Sequence, residues 1–411
     1  MNWTSILKYT AGITILLIVL FLGFLAYIAF IPPERYQPET IQIPDQSSYA
    51  LDKKVGWYHL NDSSKLLITW RPHGGLMTLN FDDFANNNLL PDTKNKFSWY
   101  RDGDTLAVTF TDSADVITGF SWIDSSSVEH LAKKLENPPY NQQLMKYNNG
   151  NVPLQGTLFR PNIEEVTSAA VIIHGSGTSH RNNFWYLYQS HYLAQRGIMI
   201  LLPDKRGSGA SGGEWHTASM SDFAEDAIAG AKTVQELLIN DSVNLGFIGF
   251  SQGGAIAPLA GAKYKETDFV VDVVGSAVSY NEQLKFEIYN DVLSSGVPKF
   301  LAPVVTVAYT RRAKARRPIW WEKNGSYSSL PYFEKLDIPP LIIYGGKDTN
   351  APVEASLESL KKIQQSPSDD NITIKVYEDS GHGMGDPETG WISKSYLDYL
   401  VEWVKDPRNI K

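Results

Sequence analysis

Gly249-Phe250-Ser251-Gln252-Gly253 follows the apolar run Val243-Asn244-Leu245-Gly246-Phe247-Ile248 and opens the small-residue stretch Gly253-Gly254-Ala255-Ile256-Ala257. That order predicts a buried strand, a sharp turn and a helix. In such a turn a serine between two glycines stands clear of the sheet as a nucleophile. Gly249 and Gly253 are needed because a side chain two positions either side of the serine would collide with neighbouring backbone. The same pattern recurs at Gly209-Ala210-Ser211-Gly212-Gly213. No strand runs straight into that copy, and Gly213-Glu214-Trp215 does not begin a helix. Ser251 is therefore read as the nucleophile and Ser211 as a loop residue.

A serine nucleophile needs a base to take its proton and a group to hold that base in the right tautomer. In a strand–turn–helix setting these partners follow the serine in the order acid, then histidine, on loops at the C-terminal ends of later strands. Pro340-Leu341-Ile342-Ile343-Tyr344-Gly345-Gly346-Lys347-Asp348 reads as a buried strand running into a turn that presents Asp348. Ile372-Thr373-Ile374-Lys375-Val376-Tyr377 is the next strand, and Glu378-Asp379-Ser380-Gly381-His382-Gly383 is its loop, presenting His382. Asp379 and Asp386 flank the same histidine and are the rival acids. The oxyanion needs backbone donors. One is the N–H of Gln252 at the start of the helix; the other is assigned to Ser176, where Val171-Ile172-Ile173-His174-Gly175-Ser176-Gly177 leaves an early strand. His174 is expected to brace that loop. Pro203-Asp204-Lys205-Arg206-Gly207-Ser208-Gly209 is glycine-rich but lacks the Gly-Lys-Ser/Thr ending of a phosphate loop. It is read as structural, with Asp204 and Arg206 satisfying buried polar groups.

Around these loops, apolar runs alternate with helical stretches. Strands are expected at 169–173, 197–202, 243–248, 269–274, 341–344 and 372–376, with helices at 186–196, 222–238 and 391–404. The alternation predicts an α/β architecture with a mainly parallel sheet covered by helices on both faces. Some sixty residues, Tyr280 to Ile338, separate two of the strands, far more than a crossover needs. They are expected to form a helical lid whose Phe286, Ile288, Tyr289, Phe300, Leu301, Val304, Val305 and Tyr309 wall an apolar pocket. Within it, Arg311-Arg312-Ala313-Lys314-Ala315-Arg316-Arg317 is either a solvated helix face or a contact for anionic groups, with Trp320 and Trp321 at a membrane interface.

The N-terminal 140 residues read differently. Residues 11–31 form an uncharged run long enough to cross a hydrocarbon core of roughly 30 Å as a helix. Trp3, Tyr9, Tyr27 and Tyr36 suit the interfaces, and no small-x-small cleavage site precedes Pro32-Pro33. A single-pass signal anchor over 1–33 is expected, in contact with the bilayer through 11–31 and leaving the rest outside the cytoplasm. Residues 34–50, rich in Pro, Gln and Ser, read as a tether. Residues 51–140 hold short β runs such as Leu66-Leu67-Ile68-Thr69-Trp70 and Leu106-Ala107-Val108-Thr109-Phe110, separated by turns, and predict a small β-rich domain. The catalytic part is then 141–411, with the lid at about 280–338.

Composition narrows the chemistry. Among 411 residues there is no cysteine, so disulfides, thiolate zinc sites and cysteine nucleophiles are excluded. A net charge of −8 argues against general nucleic-acid affinity. No His-Glu-x-x-His or nucleotide-binding pattern occurs, and neither metal nor organic cofactor is expected.

Taken together, His174-Gly175-Ser176-Gly177, Asp204-Lys205-Arg206-Gly207-Ser208-Gly209, Gly249-Phe250-Ser251-Gln252-Gly253-Gly254, Gly346-Lys347-Asp348 and Gly381-His382-Gly383 resemble the α/β-hydrolases over roughly residues 150–408. The Asp-Lys-Arg-Gly form is similar to the branch that includes serine-aminopeptidase-like and dipeptidyl-peptidase-like enzymes. The resemblance implies an α/β-hydrolase fold and a serine hydrolase acting on a small acyl ester through Ser251, His382 and Asp348. Peptidase, thioesterase, acyltransferase and non-catalytic binding readings stay open, and the β-rich domain and anchor lie outside the resemblance.

Overall fold

The computed structural model describes residues 3–31, 33, 50–61, 64–71, 75–81, 86–101, 103–163, 166–238, 242–363 and 371–407. The tether expected over 34–50 lies outside these residues except for Ala50. Helix α1 (Trp3–Phe30) carries an apolar stretch of 24 residues, Leu7–Phe30, long and apolar enough to cross a membrane. Residues 7–20 are exposed, whereas Leu25 and Ile28 are buried against Val292, Ala302, Val305 and Ala308 of the helical insertion described below.

After one turn of helix, α2 (Leu51–Lys54), eight strands run as an antiparallel meander: β1 (Gly56–Leu60), β2 (Lys65–Trp70), β3 (Leu76–Leu79), β4 (Asn86–Pro91), β5 (Lys96–Arg101), β6 (Asp104–Ser113), β7 (Val116–Ile123) and β8 (Glu129–Lys134). Strand β1 pairs with both β2 and β8, so the sheet closes into a barrel and leaves no edge unpaired. Alternate side chains point inward, and Tyr58, Phe97, Trp99, Phe110 and Phe120 fill the interior. On the outside of β1–β3, Trp57, Leu67 and Met77 join a larger core with Tyr140, Phe159, Tyr188 and Tyr192. This explains why Leu66-Leu67-Ile68 is apolar at every position: the strand is buried on both faces.

The second sheet begins with a hairpin, β9 (Tyr140–Asn149) and β10 (Val152–Pro161). Strands β11 (Ser168–Ile173), β12 (Ile198–Pro203), β13 (Asn244–Phe250), β14 (Phe269–Val273), β15 (Pro340–Gly345) and β16 (Thr373–Tyr377) follow. The spatial order is β9-β10-β12-β11-β13-β14-β15-β16, with β11 to β16 mutually parallel. The expected strands are present with ends moved by one or two residues. The hairpin was not foreseen, because β9 exposes most of one face and its polar run Asn141-Gln142-Gln143 carries no strand signature.

Helices α3 (Phe184–Ala194) and α11 (Lys394–Lys405) cover one face of this sheet, and α4 (Met220–Gln235) and α5 (Gln252–Lys263) the other. Ser219 and Asp222 form a reciprocal capping box at the start of α4. Helix α10 (Val353–Ile363) lies between β15 and β16. Between β14 and β15 the chain makes α6 (Tyr280–Ser294), α7 (Ala302–Arg316), α8 (Pro318–Asn324) and α9 (Leu330–Phe333). The insertion is helical, but not all of its apolar residues face inward: Phe300 is 79% exposed and Val307 70%.

Candidate active site

The turn after β13 is tight. A Cβ on Gly249 would lie 2.0 Å from the Gly253 carbonyl oxygen, and one on Gly253 would lie 2.0 Å from that of Ile173. Both positions therefore require glycine. Ser251 itself sits at φ 54°, ψ −116°, a strained conformation for a residue with a side chain. The strain is held by pairing on both sides, with Ser251 N–H donating to Val273 O at 2.8 Å and α5 starting at Gln252.

His382 Nε2 lies 2.9 Å from Ser251 Oγ, and His382 Nδ1 lies 2.7 Å from Asp348 Oδ2. The geometry assigns the tautomer. A carboxylate only accepts, so Nδ1 carries the proton and Nε2 is left to accept from the serine hydroxyl. The other carboxylate oxygen of Asp348 accepts from Asn350 N at 2.7 Å and Ala351 N at 2.9 Å, and the side chain is fully buried. The rival acids are engaged elsewhere. Asp379 pairs with Lys347 at the surface, and Asp386 accepts from Glu388 N and Thr389 N in its own turn. The His382 loop is tied down by Ser380 Oγ donating to Gly385 O and by Trp185 Nε1 donating to Gly383 O.

Ser176, on the β11 loop, lines the same pocket as Ser251, and Gln252 is the first residue of α5, directly after Ser251. His174 braces the β11 loop as expected. Its Nε2 donates to Pro203 O at 2.6 Å, so Nδ1 accepts from Ser179 Oγ at 2.9 Å. Burial holds this imidazole neutral, with its pKa down at about 3. Asp204 and Arg206 also act structurally. Asp204 accepts from Arg181 N and Ala210 N, and Arg206 makes a two-point contact with Asp226 at 2.6 Å on each arm. Ser211 is buried away from the pocket, donating to Asp204 O and accepting from Gln155 N.

Lys205, between those two residues, was missed. Its Nζ donates to Gly175 O at 2.6 Å and to Gln252 Oε1 at 2.7 Å, and so joins the two loops that present the Ser176 and Gln252 amides. Burial pulls its pKa down to about 7. The sequence held a signal: a lysine in a loop otherwise read as buried and polar has to find acceptors.

A cavity of about 360 Å³ opens over Ser251 and His382, walled by Trp185, Tyr186, Phe250 and, from α6, Gln283 and Glu287. Burial holds the Glu287 carboxyl above its ordinary range, and Asp291 adds to the effect. A larger cavity of about 1240 Å³ adjoins it, both being lined by Ser176. The basic cluster does not form a uniform solvated face. Arg312, Arg316 and Arg317 line the larger cavity, Lys314 donates to Asn281 Oδ1, and the Arg311 guanidinium stacks 4.3 Å from the Phe30 ring of α1. Trp320, which the membrane-interface alternative put at the surface, is buried in the core against Tyr280.

Residues 164–319 match the family described as serine aminopeptidase, S33. An AB hydrolase superfamily protein of Bacillus subtilis is 24% identical over 240 residues, covering 52% of this chain and 84% of that protein. A non-heme haloperoxidase of Rhodococcus erythropolis is 23% identical over 242 residues, covering 51% and 84%. An esterase of Pyrococcus furiosus superposes with a TM-score of 0.50 at 21% identity, covering 65% of this chain and 91% of the other. The family match falls on the parallel-sheet part of the chain.

Proposed function

We propose that this chain, whose parallel-sheet part has the α/β-hydrolase fold, is a serine hydrolase cleaving carboxylic esters through Ser251, His382 and Asp348. The observation that carries the reading is the continuous chain of hydrogen bonds from Ser251 Oγ through His382 to a buried Asp348. Ser251 Oγ attacks the acyl carbonyl as His382 Nε2 takes its proton, and Asp348 stabilises the imidazolium. The N–H groups of Gln252 and Ser176 receive the oxyanion, helped by the positive end of α5. His382 then protonates the leaving alcohol, and a water molecule activated by the same imidazole releases the acyl group. No step calls on a cofactor.

The apolar span of α1 supports a membrane anchor, and the bulk of the chain is assigned to the extracytoplasmic side. Protease accessibility of the catalytic part in intact and in opened cells tests that side. The insertion α6–α9 acts as a lid, since Gln283 and Glu287 wall the pocket over Ser251.

The test of the reading is fluorophosphonate labelling of the full chain in a neutral detergent, beside Ser251→Ala and Ser211→Ala. Labelling lost only with Ser251→Ala supports it; labelling that survives Ser251→Ala overturns it. A second reading, aminopeptidase action, draws on Glu287, whose carboxyl could receive a substrate ammonium inside the pocket. Turnover of aminoacyl anilides in preference to acyl esters would favour it.

A further inference from the structure

We propose that the larger cavity is a binding site for an anionic amphiphile drawn from the bilayer, its acidic head held by Arg312, Arg316 and Arg317 and its chain lying between α1 and the insertion. The proposal deepens the esterase reading, since it names the substrate class delivered to Ser251, and it rests on that reading for the chemistry alone.

Three observations converge on it. The first is the cavity's make-up. Its volume is about 1240 Å³, enough for a lipid-sized ligand, and its walls divide into two kinds. Phe21 and Phe24 of α1 and Ile288, Val292, Leu301 and Val305 of the insertion supply an apolar channel, whereas the three arginines gather near the C-terminus of α7. Among the residues lining it, Asp291 is the single acid against those three cations. Arg312 Nη1 is buried and has no hydrogen-bond partner among the described residues, and a guanidinium N–H left so is costly unless a ligand oxygen meets it.

The second observation is continuity with the reacting serine. The cavity ends at Ser176, Gly177 and Thr178, and Ser176 also lines the pocket that holds Ser251 and His382. Arg317 is near enough to that pocket for its charge to act on both Glu287 and Lys205. A ligand with its head among the arginines can therefore place an ester at the Ser176 amide.

The third is the source of the ligand. Two walls of the channel belong to α1, whose apolar length matches a bilayer, and α1 docks on α7 through Leu25 and Ile28. Beside that contact, Phe300, Val304 and Val307 of the insertion expose an apolar stripe, and Arg311 stacks on Phe30. An exposed apolar stripe ending in arginine suits the boundary between acyl chains and head groups.

The test is calorimetric titration of the full chain carrying Ser251→Ala, in neutral maltoside micelles, with dodecyl phosphate, dodecylphosphocholine and inorganic phosphate. Saturable binding of dodecyl phosphate at least tenfold tighter than the other two is expected, with at least a tenfold loss in Arg312→Gln and in Arg316→Gln/Arg317→Gln. Arg312→Lys should recover part of the loss, which separates lost charge from lost fold. Equal binding of the two dodecyl ligands overturns the anionic site. Inorganic phosphate binding as tightly as dodecyl phosphate makes it a free-anion site and overturns the amphiphile. Unchanged binding in both arginine variants overturns the assigned residues. None of these readouts needs hydrolysis, so failure of the esterase reading would show in the fluorophosphonate experiment instead.

Discussion

Lys205 Nζ stands 2.7 Å from Gln252 Oε1 and 2.6 Å from Gly175 O, so one buried side chain bridges the turn after Ser251 and the loop before Ser176. Both oxyanion donors of the proposed mechanism are thus positioned by a residue that touches no substrate. Lys205→Met keeps the volume and removes both bonds. Losing one oxyanion donor outright costs roughly 10²–10³ in kcat, and loosening both should cost between about tenfold and 10²-fold, with KM for a short ester changed by less than about threefold. A fall in KM-controlled binding with kcat intact would mean that Lys205 shapes the pocket and not the donors.

The same lysine has a pH signature. Its pKa is about 7 when folded and near 10.4 when unfolded, so between these values the unfolded chain binds the extra proton. Stability rises with pH wherever the unfolded state holds more protons. Wild type should therefore gain stability relative to Lys205→Met from pH 7 to pH 10. A neutral amine still has two N–H groups for its two acceptors, so deprotonation does not break the bridge. Denaturant unfolding of both proteins across that range checks the sign.

Acid should act through two imidazoles. His174 and His191 are buried with pKa values of about 3, far below the unfolded value near 6.5. Between pH 6.5 and 3 the unfolded chain binds up to two more protons, so the fold loses up to roughly 3 kcal/mol per pH unit from this pair. His191 also links the barrel to the sheet, with Thr69 Oγ1 at 2.9 Å and the Tyr140 hydroxyl at 2.5 Å. Substituting His191→Asn should flatten the acid limb by about one proton while lowering stability at neutral pH. An unchanged limb would show that His191 is already protonated in the fold.

The contrast between what was and was not legible follows from how local each signal is. Ser251 and Asp348 were readable because each follows a run buried on both faces, and a loop after such a run has one place to go. His382 was readable from its place on the loop after the next strand, although that strand is only half-buried. The barrel was readable only as short β runs. Its closure depends on β1 meeting β8, a pairing that no local pattern in Tyr58-His59-Leu60 or Lys133-Lys134 declares. The packing of Leu25 and Ile28 on α7 was illegible for a different reason: a continuous apolar helix has no stripe to mark the side that meets protein. Trp320 misled because an aromatic next to arginines reads like a membrane interface, whereas its ring is used against Tyr280.

Gly253 offers a stringent test of the turn. A Cβ there would lie 2.0 Å from Ile173 O and 2.8 Å from His174 O, both backbone atoms that carry the β11 loop. Overpacking of a core typically costs about 1–3 kcal/mol, and here the obstacle is rigid backbone. Gly253→Ala should lose at least that much stability and also lose fluorophosphonate labelling, because relief can come only by moving Ser251 or the Ser176 loop. Labelling at the wild-type rate in a folded Gly253→Ala protein would show that the turn is slacker than its contacts imply.

Asp348→Asn isolates the orienting acid with little loss of structure. One oxygen of Asp348 accepts from the backbone N–H of Asn350 and Ala351, and an asparagine would keep its carbonyl oxygen there. Its amide NH2 would then face His382 Nδ1 at the position now held by Oδ2, 2.7 Å away. Nδ1 would have to accept, the ring proton would move to Nε2, and Nε2 could no longer take a proton from Ser251. kcat for ester hydrolysis should fall by roughly 10⁴-fold, as expected when the base is held in the wrong tautomer. The thermal midpoint should move by no more than a few degrees, since both backbone contacts survive. Retention of activity within tenfold would remove Asp348 from the mechanism, and Asp379 or Asp386 would then have to reach His382 by a rearranged loop.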